Sequence, residues 1–98
     1  MVDGPIMTDR VSRTLRIVNE KGLHARASAK FAECCERFDA RAEVRRDGHA
    51  AAGDSIMGLL MLGASRGTSI EVTASGPEAR ALMDALDALV ADRFGEGM

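Results

Sequence analysis

The segment ARAEVRRDGHAAAG, residues 40–53, decides the fold. Apolar and polar residues alternate through its first half, with Ala42 and Val44 on one side and Arg41, Glu43 and Arg45 on the other. A period of two is that of a strand with one face buried. Asp47-Gly48 follows, a pair that tolerates the positive φ angles of a two-residue hairpin turn. The HAAAG stretch therefore returns as an antiparallel partner, and the chain is expected to build a sheet with one face in water. Arg45 and Arg46 read as solvated strand residues, and His49, next to the turn, as a solvated strand histidine.

Toward the N-terminus, TLRIV (residues 14–18) alternates in the same way and predicts another strand. Residues 25–37 change period: Ser28, Phe31, Ala32 and Cys35 fall at i, i+3, i+4 and i+7, one face of a helix. Arg26, Lys30, Glu33 and Glu36 then face solvent. Toward the C-terminus, DSIMGLLML (residues 54–62) is short and apolar and opens on two good N-cap residues, Asp54 and Ser55. It predicts a second helix. TSIEVTA (residues 68–74) predicts a strand, with Ile70 and Val72 on one face. A last helix is predicted over residues 75–94, with Ala79, Leu82, Met83, Leu86, Leu89 and Val90 at helical spacing. Ser75 with Glu78 has the form of a capping box, and Pro77 suits a first helical turn.

The expected order is β-α-β-β-α-β-α. It is an α/β (α+β) open-faced β-sandwich, a four-stranded antiparallel sheet with three helices on one face. The 98 residues suffice for one domain. Residues 1–12, with scattered charges and no apolar run, are expected to be a disordered extension, and residues 13–95 the domain.

Composition narrows the functional classes. A net charge of -2 and only three aromatics argue against nucleic-acid binding, which favours basic faces and stacking rings. Cys34 and Cys35 are adjacent, so their side chains diverge on a helix and a disulfide between them is implausible. A reduced, cytoplasmic chain follows. No CxxC spacing suggests a metal, no residue set suggests a cofactor, and no run approaches the ~20 apolar residues of a membrane span. A soluble monomer without membrane insertion is expected.

KGLHARASAKF (residues 21–31) places His24 at the start of the first helix. The unpaired N–H groups and the positive dipole end there favour an anion over an imidazolium, so the ring is expected to keep a nitrogen lone pair. A phosphoryl group attached to that ring would lie where helix N-termini bind phosphate. Arg26 supplies a guanidinium that can fork onto phosphate oxygens. On these residues alone, a phosphate-handling site and a solvated capping histidine both stand.

GLHAR, then DG, DSIMGLLMLG and GTSIEVTASG at matching intervals, closely resembles HPr, the histidine-containing phosphocarrier family of the phosphoenolpyruvate-dependent phosphotransferase system. The resemblance runs from about residue 14 to about residue 94. It implies that His24 is phosphorylated on Nδ1 by enzyme I and passes the group to an enzyme IIA-type acceptor, so the chain is a carrier and not an enzyme. It also implies that Arg26 contacts the phosphoryl group, together with the first-turn amides of Ala25, Arg26 and Ala27. Ser55 matches the serine modified by HPr kinase/phosphorylase in many members, while its cap role stands without a kinase. Ile56, Met57, Leu60 and Met61 are too many apolar residues for one core-facing stripe, and some are expected to form a docking patch.

Three departures bear on specificity. Ala27 stands where the family usually has proline. Asp54 precedes Ser55 where lysine is frequent, and Glu33 and Glu36 occupy positions that are often basic. These acidic residues lean toward a nitrogen-related regulatory relay over sugar uptake. The rival from another class is a non-catalytic regulatory module that binds proteins through the apolar face and Ser55, with no dependence on His24. A small-molecule sensor of similar strand order is a further rival, but no residues in the chain mark a ligand.

Overall fold

The computed structural model describes residues 9–97. Strands β1 (Asp9–Arg16), β2 (Arg41–Arg46), β3 (His49–Ala52) and β4 (Ser69–Gly76) form one sheet in the order β1-β4-β2-β3. Every neighbouring pair is antiparallel. Helices α1 (Ala25–Glu36), α2 (Ile56–Met61) and α3 (Ala79–Ala91) cover one face, and a short 3₁₀ turn (Arg93–Gly95) is the last described element. The expected open-faced sandwich is the observed fold.

The hairpin forms as its alternation requires. Val44 is buried and pairs with Ala51, while Arg41, Glu43 and Arg45 lie on the open face. Asp47 and Gly48 both take positive φ at the turn. The core collects Leu15, Ile17, Val44, Ile70, Val72 and Ala74 from the sheet side and Phe31, Leu59, Leu82, Met83, Leu86 and Val90 from the helices. Aliphatic side chains dominate it, and Phe31 and Phe94 are its two fully buried aromatics.

The structure departs from the sequence expectations at three places. Strand β1 begins at Asp9, so residues 9–12 belong to the sheet and not to a disordered extension; residues 1–8 lie outside the described residues. Few apolar residues mark this stretch because one face is open to water. It is held by pairing with β4, by Ser12 Oγ 2.9 Å from Thr73 Oγ1, and by Val11 against the core. Next to it, Arg13 donates to Asp87 at 2.7 Å and to Asp84 at 3.4 Å on α3.

The second departure is the start of α3. Ser75 is the last residue but one of β4, Pro77 lies in the turn, and no capping box forms. Glu78 at the N-cap makes no side-chain cap. Its Oε1 instead accepts from the Asp39 N–H at 2.6 Å, tying the α1–β2 connection to the start of α3. Third, the ordered packing runs past residue 95: Glu96 Oε1 accepts from Asn19 Nδ2 at 3.1 Å.

Candidate functional site around His24

His24 is the N-cap of α1, with extended backbone (φ -76°, ψ -177°). Its carbonyl accepts the first helical bond, from Ser28 N at 2.8 Å. Ser28 Oγ turns back to Leu23 O at 3.2 Å, so a fully buried serine fastens the residue before the histidine. The imidazole does the capping: Nδ1 accepts from the Arg26 N–H at 3.2 Å. On the other side of the ring, Nε2 lies 2.5 Å from Glu96 Oε2. With an amide donor at Nδ1 and a carboxylate acceptor at Nε2, the tautomer that satisfies both partners carries its proton on Nε2. The lone pair of Nδ1 points at the helix start.

Glu96 is fastened in turn by Asn19, whose Nδ2 donates to Glu96 Oε1 at 3.1 Å and to Gly22 O at 2.9 Å. The hydrogen bond with His24 holds the Glu96 carboxyl below the usual carboxylate range against the opposing effect of burial, with smaller help from Asn19 and Lys21. The tail that carries Glu96 is anchored by Phe94, which is fully buried, and by Lys30 Nζ donating to Phe94 O at 2.6 Å. Arg93 and Phe94 both adopt left-handed φ, 57° and 56°. Burial of a large ring, worth about 1.5–3 kcal/mol, offsets the cost of that backbone conformation.

The loop before His24 is held against the loop that follows α2. Leu23 N donates to Ala64 O at 2.9 Å. Gly22 makes this approach possible: its φ is +66°, and a Cβ there would lie 2.4 Å from Ala64 O. Helix α2 packs on α1 and β3. Ser55 caps it, Oγ accepting from Gly58 N at 3.0 Å. Leu59 alone of α2 is buried; Ile56, Met57 and Met61 are 43%, 68% and 78% exposed, and Leu60 is half-buried. An apolar patch therefore stands in water on the helix whose following loop carries the His24 loop.

Arg26 is exposed, and among the described residues no ion pair involves its guanidinium. Ala25 is exposed and Ala27 buried in the first turn. His49 is exposed on β3 and stands outside this group. Cys34 and Cys35 are free and buried, and burial first, then the neighbouring Cys34, Asp54 and Glu36, pushes the Cys35 thiol up to about 12. It offers no thiolate at neutral pH. Concavities of about 680 and about 330 Å³ lie elsewhere, lined by neither His24, Arg26 nor any residue of α2. The ring is presented on a surface, a geometry suited to a protein partner more than to a small substrate, which is usually held in a pocket. No helix among the described residues is long and apolar enough to cross a membrane.

The site thus contains two residues that sequence patterns did not single out, Glu96 and Asn19. Asn19 reads as part of a turn, NEKG, and Glu96 as part of a polar tail. Neither has a local pattern that would mark it.

Comparison with known proteins bears on the fold and the family. The family model described as PTS HPr component phosphorylation site matches residues 11–92. Phosphocarrier protein HPr of Cupriavidus necator is 42% identical over 87 residues, covering 89% of this chain and 98% of that protein. Phosphocarrier protein NPr of Escherichia coli is 39% identical over 87 residues, covering 88% and 97%. The crystal structure of an HPr from Thermoanaerobacter tengcongensis superposes with a TM-score of 0.85 at 33% identity, covering 90% of this chain and 99% of that one. A histidine capping its helix beside an exposed apolar helix, on a fold shared along nearly the whole chain, therefore has a family: the chain belongs to the HPr/NPr phosphocarriers of the phosphotransferase system.

Proposed function

We propose that His24 accepts a phosphoryl group on Nδ1 from phosphorylated enzyme I and passes it to an enzyme IIA-type protein. The observation that carries this reading is the clamp on the ring, Arg26 N–H at Nδ1 and Glu96 at Nε2. The Nδ1 lone pair attacks phosphorus. The Nδ1–P bond forms as the bond from phosphorus to the donor's leaving atom breaks, its electron pair staying on the donor. The positive charge that develops on the ring is met by the Glu96 carboxylate across Nε2–H, the logic of a carboxylate behind a nucleophilic or basic histidine. To free that lone pair, the Arg26 N–H gives up Nδ1 as the phosphoryl group arrives and turns to one of its oxygens, with the Ala25 and Ala27 amides at the same helix start and the Arg26 guanidinium free to swing in. Hand-off reverses these steps.

Ile56, Met57, Leu60 and Met61 serve as the docking surface that donor and acceptor use in turn. Ser55, beside that patch, is the site at which HPr kinase/phosphorylase would add negative charge and weaken docking. The exposed carboxylates of Glu33, Glu36 and Asp54 favour an acceptor with a basic rim, which supports a nitrogen-related regulatory relay in the cytoplasm over sugar uptake.

Incubation with phosphoenolpyruvate and a cognate enzyme I tests the reading. An acid-labile phosphoprotein is expected from the parent and from His49→Ala and none from His24→Ala. Equal labelling of the two variants, or partner regulation that persists in His24→Ala, would leave the non-catalytic binding module in its place.

A further inference from the structure

We infer that Asn19 is a positioning residue: by donating to Glu96 it holds that carboxylate on Nε2–H of His24 and so keeps Nδ1 the unprotonated nitrogen for phosphoryl transfer. The inference rests on the reading of His24 as the acceptor and extends it to a residue five positions upstream.

Asn19 is polar and fully buried, an arrangement that costs stability unless hydrogen bonds compensate. Its amide orientation is set by chemistry. The two groups it faces, Gly22 O and Glu96 Oε1, are both acceptors, so Nδ2 must point at them; the flipped amide would place oxygen against two oxygens. The amide keeps this orientation although its Oδ1 is left buried without a partner. One NH₂ group thus joins the loop that carries His24 to the tail that carries Glu96.

The Glu96 carboxylate needs that attachment. Burial of Phe94, the Lys30 bond to its carbonyl and the Glu96 N–H donating to Arg93 O hold the backbone of the turn, but none of them fixes the Glu96 side chain, and Gly95 and Gly97 on either side of it bring no side chain to pack against it. With Oε1 bound to Asn19, the carboxylate has one placement, and in it Oε2 meets the imidazole. Without Asn19 the carboxylate could rotate into water, and the ring would lose the group that balances its developing charge. The Asn19 amide donates to Gly22 O and Glu96 Oε1, while the ring nitrogens pair with Glu96 and the Arg26 N–H. It acts through Glu96.

The test compares Asn19→Ala, Glu96→Ala and the double variant in the full chain. In the parent, the Hε2 proton of His24 should give a downfield, slowly exchanging resonance, because it is shared with a carboxylate. Both single variants should lose it. Each should accept phosphate from enzyme I about tenfold more slowly, the effect of one hydrogen bond to a charged group. The double variant should be no slower than Glu96→Ala alone. Retention of the Hε2 resonance in Asn19→Ala would overturn the proposal, as would a full further loss of rate when Asn19→Ala is added to Glu96→Ala. If Asn19→Ala does not fold, the Asn19 side-chain amide protons are followed in Glu96→Ala. One should move upfield, and unchanged positions would overturn the proposal. The Hε2 measurement needs no phosphoryl donor, so a parent that took no phosphate would remove the carrier reading while the link from Asn19 to His24 was still measured.

Discussion

Glu96 and His24 stand 72 residues apart in the chain, yet Glu96 Oε2 lies 2.5 Å from His24 Nε2. The pairing joins the start of α1 to the residue that follows the last described turn, so a distant segment of the chain covers one side of the His24 ring. A ring clamped in this way is oriented before any partner arrives, which in the phosphoryl transfer proposed above would lower the entropy lost at that step.

The pair gives a pH signature. The Glu96 pKa is lowered in the folded chain, chiefly by the hydrogen bond with His24. A depressed carboxyl contributes stability that is present above its unfolded value and is lost as pH falls through the folded one. Urea melts of the parent and Glu96→Gln should therefore differ most above the ordinary carboxyl value of 4.5, with the parent the more stable. The gap should close below it. A gap that widened continuously toward acid would contradict the assignment.

Phe94 should matter for both stability and site. It is fully buried and holds the tail in two left-handed residues. Phe94→Ala is expected to cost about 3–5 kcal/mol in urea unfolding and to release Glu96, so the slowly exchanging Hε2 proton of His24 should disappear while the chain is still folded. A loss below about 1 kcal/mol, outside the range for a buried ring, would mean that the tail is anchored elsewhere.

Neighbouring positions of α2 should separate folding from docking. Leu59→Ala, at a fully buried position, should cost about 2–5 kcal/mol. Met61→Glu, at a position 78% exposed, should change stability by no more than about 0.5 kcal/mol. It should weaken binding to enzyme I and to the acceptor together, by about thirtyfold if Met61 lies at the centre of the interface. Calorimetric titration with each partner reads this directly, and tight binding by a well-folded Met61→Glu would take α2 out of the docking surface.

Ser55 allows cap and regulation to be told apart. Ser55→Ala removes the acceptor for Gly58 N and should lose about 1 kcal/mol while still accepting phosphate at the parent rate. Ser55→Asp keeps an acceptor at the cap and adds a charge that a helix start tolerates, so its melting temperature should stay near that of the parent. Phosphorylation of His24 should slow. Parent-like transfer by Ser55→Asp would reduce Ser55 to a cap.

Much of this molecule is written in short-range pattern. The two-residue period of residues 41–46, the Asp47-Gly48 turn, the helical spacing of Phe31, Ala32 and Cys35, and the caps at His24 and Ser55 all depend on atoms within a few residues of one another. Such interactions favour the same conformation wherever the chain later packs. The tertiary structure decided what depends on distant partners. Strand β1 extends to Asp9 because β4 offers it edge groups and α3 offers Arg13 two carboxylates. Glu78 leaves its cap role because the Asp39 N–H comes within 2.6 Å. Asn19 and Glu96 join the site because the burial of Phe94 brings a glycine-flanked tail back across the start of α1. A residue's spacing along the chain shows which face it will occupy. Which group meets it there depends on how the whole core closes, because burial is non-directional and only the packed fold fixes the distances at which hydrogen bonds form.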